Sequence, residues 1–125
     1  MFSGVMYVTV LVSDLDRTLE FYSSAFGFKK KIDVGKAETR FLTMQLGEGP
    51  EILLWPGKAG EASVLAGKAG TLFIESDDLR RDVADLKSRG VRFVEAEPED
   101  YTYGVRATAL DPDGNPVPLR QRRRH

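Results

Sequence analysis

The 125-residue sequence contains no cysteine and a single histidine, His125, which is its last residue. Without cysteine there can be no disulfide bond, thiolate nucleophile or cysteine-ligated zinc site, and the composition suits a reducing compartment. No apolar run approaches the roughly 18 residues of a membrane-spanning helix. Residues 1–6 also lack the basic region and apolar core of a signal peptide. We therefore expect a cytoplasmic protein with no membrane partner.

The sequence also has no large excess of either charge, because 18 basic and 19 acidic residues leave a net charge of -1. Such a balance gives no overall attraction to nucleic acid. The exception is the stretch 120–124, which is arginine throughout except for Gln121. No aromatic residue interrupts it, so the pattern predicts a solvated, frayed tail, with His125 exposed at its end.

The most informative feature that is present is a repeat. Asp14-Leu15-Asp16-Arg17 returns 64 residues later as Asp78-Leu79-Arg80-Arg81, each time after an apolar run. The repeat indicates two copies of one module in a single α+β domain spanning 1–125. We place a first βαβββ module at 5–56, a linker at 57–69, a second βαβββ module at 70–120 and a basic tail at 121–125.

Periodicity predicts one helix in each copy. Apolar residues at Leu15, Leu19, Tyr22 and Phe26 recur at helical spacing between an Asp14 cap and Gly27, and Leu79, Val83 and Leu86 repeat the stripe between Asp78 and Gly90. Alternating or β-branched runs predict strands at 7–12, 28–34, 39–46, 51–55, 71–75, 91–94, 105–110 and 117–120. The stretch 95–100, which contains Pro98, is predicted to be an acidic surface loop.

Two motifs in this order resemble the vicinal oxygen chelate superfamily, which includes glyoxalase I, extradiol dioxygenases, fosfomycin-modifying enzymes and bleomycin-resistance proteins. They are VLVSDLDRTLEFYSSAFG at 10–27 and the turn DPDGN at 111–115. The resemblance covers roughly residues 5 to 120. It implies four strands in each half, a curved eight-stranded mixed sheet around a cavity, and helices on the convex face. It also implies a homodimer, which in some members exchanges halves between chains.

Enzymes of this family hold a divalent metal with His or Glu side chains on the first and last strands of each copy. The matching positions here are Tyr7, Glu51, Thr71 and Pro118. Only Glu51 is a conventional ligand, since proline has no donor side chain, a threonine hydroxyl is a weak donor and a tyrosine must first lose its proton. We therefore expect no metal and no other cofactor.

Strand parity then selects the residues of the inward face. Tyr7 alternates with three valines that belong under the helix, which places it in the cavity. The same argument and the nearby loops give a predicted ligand-binding set of Tyr7, Phe41, Glu51, Trp55, Thr71, Phe73, Tyr101, Tyr103 and Arg106. Aromatic walls with a few polar groups are typical of small-molecule sites.

Several of these residues have alternative interpretations. Trp55 could cap the edge of the sheet instead of stacking on a ligand. Tyr101 and Tyr103 could pack on a partner subunit rather than gate a pocket. Glu51 could form a structural ion pair with Arg106 or Arg120, which parity also turns inward.

Two functions remain open on the sequence alone. The first is a metal-independent binding protein, similar to bleomycin-resistance proteins and hence tied to antibiotic resistance, which sequesters or carries a small, partly aromatic or cationic compound. Its charge complementarity would come from Glu51 and Glu75. The second is a lyase, isomerase or dioxygenase with an atypical metal site, or one that uses Glu51 as a general base.

Overall fold

The computed structural model describes residues 1–36, 39–57 and 72–123. The chain divides into two compact units, Met1–Glu61 and Ala62–His125, and each is described by itself. Most of the predicted linker at 57–69 lies outside the described residues, as do Thr71 and His125. None of the helices in the described ranges is long and apolar enough to cross a membrane.

The first unit is a four-stranded mixed sheet with one helix. Its elements are β1 (Tyr7–Val12), α1 (Leu15–Phe26), β2 (Lys29–Val34), β3 (Phe41–Gln45) and β4 (Glu51–Pro56). The strand order is β1-β4-β3-β2, with β1 and β4 parallel and the other neighbours antiparallel.

The second unit repeats this plan. Its elements are β5 (Ile74–Glu75), α2 (Leu79–Ser88), β6 (Arg92–Phe93), β7 (Glu99–Tyr101), β8 (Gly104–Leu110) and β9 (Pro116–Arg122). The order β5-β9-β8-β6 matches that of the first unit, again with a parallel first pair, and β7 joins β8 as an extra strand. The α+β class and the duplicated order are therefore confirmed, with five strands described in this half.

Both helices begin as the repeat predicts. The Asp14 carboxylate accepts a hydrogen bond from the Arg17 amide at 3.0 Å, and Asp78 accepts from the Arg81 amide at 3.2 Å. These aspartates satisfy amides that have no partner within the helix. Gly27 ends α1 in the left-handed conformation, with φ of 87°.

The apolar residues beneath the helices form the core of each unit. In the first unit the buried side chains include Val10, Val12, Leu42, Met44, Ile52 and Leu54, and in the second they include Leu79, Val83, Leu86, Ala107, Ala109, Val117 and Leu119. Along the strands these residues alternate with those of the other face. In the middle of that other face Thr43, Leu53 and Pro118 are buried as well. In α1 the burial centres on Thr18 and Tyr22, while Leu15, Leu19 and Phe26 are only half-buried.

The predicted acidic loop is wrong in two respects. Glu99 and Asp100 pair with β8 in a hairpin whose loop is Thr102-Tyr103, so Tyr101 lies on a strand. Pro98 is buried, and its carbonyl oxygen accepts a hydrogen bond from the Arg80 guanidinium at 3.3 Å. Residues 99–101 form a strand because they pair with the longer β8, although their own composition does not predict one.

The predicted frayed tail is also wrong as far as residue 123. Arg120, Gln121 and Arg122 belong to β9. The Gln121 side-chain oxygen accepts from the Leu79 amide at 2.7 Å, and the Arg123 amide donates to the Tyr103 carbonyl at 2.8 Å. Backbone pairing and this helix contact fix the segment despite its charge.

The DPDGN turn joins β8 to β9 around a buried carboxylate. Asp111 accepts hydrogen bonds from the Asp113 and Asn115 amides at 2.9 and 2.8 Å and from the Asn115 side-chain amide at 3.3 Å. Burial of the carboxylate raises the pKa of Asp111, an effect that these hydrogen bonds partly offset. The motif is therefore a structural turn.

Candidate functional site

The first unit brings together the polar and aromatic residues that parity assigned to its open face. Tyr7 on β1 and Glu51 on β4 are directly opposite each other in the parallel pair, and Leu11 is opposite Trp55. The phenol ring of Tyr7 packs edge-on against Phe41 of β3, with 5.5 Å between ring centroids. Tyr7, Phe41 and Glu51 therefore form one continuous patch, which we call the Tyr7 face.

The carboxylate of Glu51 is held in place by Thr43. The Thr43 hydroxyl donates to Glu51 Oε1 at 2.8 Å and accepts from the Ile32 amide at 3.2 Å. The register of β2 against β3 shifts between Lys30 and Ile32, next to this contact. Since Thr43 is completely buried, this chain of two hydrogen bonds orients the carboxylate of Glu51.

Trp55 lies at the end of β4 on the same strand as Glu51, with 47% of its surface exposed. That exposure leaves the indole ring open to stack on a ligand, and it is equally compatible with a cap on the edge of the sheet. The ligand-binding role of Trp55 stays a prediction.

The second unit builds a different face, on which arginine and aromatic side chains stack. The Arg120 guanidinium lies over the rings of Phe73 and Tyr101, 5.1 and 5.7 Å from their centroids. Arg106 also lies over the Tyr101 ring, at 5.3 Å. Tyr101 contacts Tyr103 edge-on at 5.8 Å. We call Phe73, Tyr101, Arg106 and Arg120 the arginine face.

Two glutamates lie beside this cluster, and each pairs with an arginine. Glu99 lies 3.4 Å from the Arg106 guanidinium, and Glu75 lies 2.8 Å from that of Arg122. Glu75 was expected to attract a cationic ligand, but its charge is already opposed by Arg122. The predicted ion pair of Glu51 with Arg106 or Arg120 stays a prediction.

An open cavity of about 560 Å³ adjoins this region between the start of α2 and the end of β9, lined in part by Glu75, Ser76, Asp82, Gln121 and Arg122. Its polar groups already have partners, since the Ser76 hydroxyl donates to Asp82 at 2.6 Å and Glu75 binds Arg122. Those residues of the predicted ligand-binding set that the structure describes lie on or beside the Tyr7 face and the arginine face, and they do not line this cavity.

Register gives a second way to count the last of the four positions at which related enzymes place metal ligands. Ile74, 64 residues after Val10, pairs with Leu119 just as Val10 pairs with Leu54. Counted by this register, the counterpart of Glu51 is Pro116, whereas counting from the DPDGN turn gives Pro118. Proline carries no side-chain donor at either position, so the predicted donor set is the same.

That donor set does not fit a catalytic divalent metal. Of the residues involved, Tyr7 packs its ring on Phe41 and Glu51 already accepts from Thr43. Thr71 lies outside the described residues. In the described ranges no three His, Asp or Glu side chains are grouped so that they could hold a metal ion. We therefore derive no chemical step through a metal.

Comparison with known proteins places this geometry in a family. Residues 4–119 match the model of the Glyoxalase/Bleomycin resistance protein/Dioxygenase superfamily. The chain belongs to that superfamily. The resemblance predicted from the repeat and the DPDGN turn is thus confirmed.

Among solved structures, the chain is similar to TnmS3, an antibiotic-binding protein from Streptomyces sp. CB03234. The TM-score is 0.76 and the identity 26%, covering 98% of both chains. A superfamily member from Sphaerobacter thermophilus gives a TM-score of 0.78 at 27% identity, covering 96% of this chain and 98% of that one. Both comparisons support the fold over nearly the full described length.

Among curated proteins, the chain is 33% identical to the lactoylglutathione lyase GLX1 of Arabidopsis thaliana. The match covers 94% of this chain but 44% of the enzyme, so the chain spans less than half the length of that relative. Binding proteins and lyases of this superfamily therefore both resemble the chain.

Sequence reasoning missed two residues that organise these faces. Thr43 alternates with Phe41 and so shares its face, but nothing in the sequence marked its hydroxyl as the donor to Glu51. Parity turned Arg120 inward, but only as a possible partner for Glu51. Its stacking on Phe73 and Tyr101 was not predicted.

Proposed function

We propose that this superfamily member is a metal-independent protein that sequesters or carries a small, partly aromatic compound. The observation that carries the proposal is the Tyr7 face. At the position where related enzymes keep a first-strand metal ligand, this chain has a phenol ring packed on Phe41, beside a carboxylate that Thr43 orients. An aromatic wall with one fixed polar group can hold and orient a ligand by contact alone.

The carboxylate of Glu51 is oriented to receive a ligand group. Its Oε1 atom accepts from the Thr43 hydroxyl, and Oε2 can accept a hydrogen bond or contact a positive charge of a ligand. Two glutamates, Glu51 and Glu75, were predicted to attract a cationic group, and Glu75 is paired with Arg122, so Glu51 is the better candidate. The likeness to TnmS3, an antibiotic-binding protein, supports small-molecule binding and a role in antibiotic resistance.

An enzymatic function is the alternative, and the 33% identity to a lactoylglutathione lyase favours it. In that case Glu51 would act as a general base, with Thr43 fixing its position. A lyase would turn over lactoylglutathione, and the Glu51→Gln variant would lose that turnover while it kept its fold.

Metal analysis and a ligand screen test the proposal together. Purified protein is analysed for nickel, zinc, manganese and iron, and a library of aromatic compounds is screened by thermal shift, since a ligand that binds the native state raises its melting temperature. We expect substoichiometric metal and stabilising aromatic compounds. Stoichiometric metal, or turnover of lactoylglutathione, would contradict the binding function.

Variants of Glu51, on the Tyr7 face, and of Trp55, on the same strand, then locate the site. Glu51→Gln and Trp55→Ala are expected to weaken the best hit from the library at least about tenfold, which is 1.4 kcal/mol of binding free energy. Glu48→Gln is the matched control, because Glu48 is an exposed glutamate in the turn between β3 and β4. Equal affinity of the wild type and both site variants would place the ligand elsewhere.

A cytoplasmic location and a homodimer are further parts of the proposal. Sedimentation equilibrium of the purified chain tests the second, with a mass of twice 13.9 kDa expected. A monomer over the whole concentration range would contradict it.

A further inference from the structure

Among the described residues, three arginines and two glutamates share one side of the second sheet, and after they form two ion pairs one arginine remains unpaired. Arg122 binds Glu75 and Arg106 binds Glu99, at 2.8 and 3.4 Å. Arg120, which lies between them, has no carboxylate within 4 Å among the residues that the structure describes. The centre of the arginine face therefore carries an uncompensated positive charge.

The strand register makes this charge costly. Arg106 and Arg120 are directly opposite each other in the antiparallel pair of β8 and β9. Like charges at directly opposite positions of a sheet destabilise it. Glu99 opposes the charge of Arg106, but the carboxylate of Glu75, which is opposite Arg120 in the register, is turned to Arg122. An anion beside Arg120 would remove the repulsion.

The aromatic contacts of Arg120 leave it able to bind such an anion. Its guanidinium lies over the Phe73 and Tyr101 rings at 5.1 and 5.7 Å, which restricts its position while its N–H groups remain available at the edges. Of five N–H donors, the structure describes one in use, from Nη1 to the Leu119 carbonyl at 2.9 Å. The remaining donors match the two oxygens of a carboxylate.

Phe73 supplies the second half of a recognition site. Its ring is 60% exposed even though it borders the guanidinium of Arg120. An apolar ring next to a fixed, unpaired cation suits a ligand that has a flat apolar part joined to a negative group.

We propose that the arginine face binds the carboxylate of an aromatic ligand, with Arg120 as the principal donor, Arg106 as the second and Phe73 against the ring. This inference rests on the proposed small-molecule binding and adds the charge of the ligand group that binds to the second unit. That group is negative, whereas the ligand group expected to bind Glu51 and Glu75 is positive.

A pair of isosteric probes tests the charge requirement. 2-Naphthoate and 2-naphthamide have nearly the same shape and differ in charge, and each is titrated into the full-length protein by calorimetry. We expect 2-naphthoate to bind at least about tenfold more tightly, because its carboxylate accepts charge-assisted hydrogen bonds from Arg120 that are stronger than those to a neutral amide. Equal affinities, or no binding of 2-naphthoate, would overturn the inference.

Variants assign the effect to Arg120. Arg120→Gln should reduce the preference for 2-naphthoate to near unity, and Arg120→Lys should keep part of it. Arg89→Gln is the matched control, since it removes the same charge from the C-cap of α2, the helix that packs on β8 and β9. A preference that survives in Arg120→Gln, or that falls equally in Arg89→Gln, would contradict a local carboxylate site.

Stability separates a ligand role from a structural one. If Arg120 serves a ligand, Arg120→Gln relieves the repulsion from Arg106 and the melting temperature stays equal or rises. A clear fall in melting temperature would mean that Arg120 mainly holds the Phe73 and Tyr101 rings, and would overturn the assignment.

This inference and the proposed binding function can fail separately. If the protein binds 2-naphthamide or library compounds without a carboxylate, and shows no preference for 2-naphthoate, this inference is refuted while the proposed binding function still holds. A library with no aromatic hit at all would refute that function itself.

Discussion

Replacing Thr43 with valine tests whether its hydroxyl, rather than its volume, holds the Tyr7 face together. Valine has nearly the same shape, so the buried site stays filled. The change removes the acceptor of the Ile32 amide at 3.2 Å and the donor to Glu51 at 2.8 Å. A valine side chain cannot accept a hydrogen bond, so the bond from the Ile32 amide is lost.

The expected cost follows from the two lost hydrogen bonds. A hydrogen bond to a charged group contributes about 1.5–3 kcal/mol, and a neutral one contributes about 1 kcal/mol. Ile32 and Glu51 are only half-buried, so water replaces part of the loss. We expect Thr43→Val to lower the free energy of unfolding by about 2 kcal/mol, which is about 8 °C in melting temperature for a chain of this size.

Thr43→Ser is the matched control, because it keeps the hydroxyl and removes a buried methyl group. Its cost should be about 1 kcal/mol, the value for one buried methylene with a small cavity. Urea unfolding of both variants gives the comparison. If Thr43→Val is as stable as the wild type, or loses less than Thr43→Ser, the hydroxyl does not fix Glu51.

A double-mutant cycle isolates the contact with Glu51. Thr43→Val, Glu51→Ala and the double variant are unfolded in urea, and a coupling energy of about 1 kcal/mol is expected for two residues in direct contact. Additive effects would mean that Thr43 stabilises the sheet without orienting the carboxylate. Glu51 would then be free to move, which weakens its proposed role in ligand orientation.

Two further predictions concern backbone and charge. Gly104→Ala should lower the free energy of unfolding by about 3 kcal/mol, since φ is 145° and an added Cβ would clash with the Gln121 carbonyl. Gly27→Ala, with φ of 87° and open space around it, should cost less in the same urea titration. Hydrogen bonds from Arg40 lower the pKa values of Asp16 and Asp33 below the ordinary 3.8. The ion pairs of Arg40 with these two aspartates therefore stabilise the fold above pH 3.8, and this stabilisation is lost as the pH falls through the lowered pKa values. The Arg40→Gln variant should raise both aspartate pKa values in an NMR titration. It should also lose less stability than the wild type when the pH is lowered below 3.8. Unchanged carboxylate pKa values would refute the second prediction.

The sequence predicted those parts of the fold that local rules determine. Asp14 and Asp78 cap their helices, and the alternation that turned Tyr7 to the open face placed Val10 and Val12 in the core. Each of these depends on the chemistry of a few neighbouring residues. The repeat then carried the strand order from one half to the other.

The parts that failed depend on pairing between distant segments. Strand β7 forms because β8 offers backbone partners to Glu99–Tyr101, and β9 extends to Arg122 because β8 is long enough to accompany it. Composition gave the opposite indication in both places, with acidic residues in one and arginines in the other. Tertiary pairing overrides such local preferences.

The two units show how a duplicated fold separates into different chemistry. Equivalent strands place Glu51, oriented by Thr43, on one face and Arg120, stacked on Phe73 and Tyr101, on the other. The two residues stand at different positions of those strands, because by register the counterpart of Arg120 is Trp55. Each face therefore has its own expected charge preference. The Glu51→Gln variant should weaken the binding of cationic compounds, and the Arg120→Gln variant should weaken the binding of carboxylates.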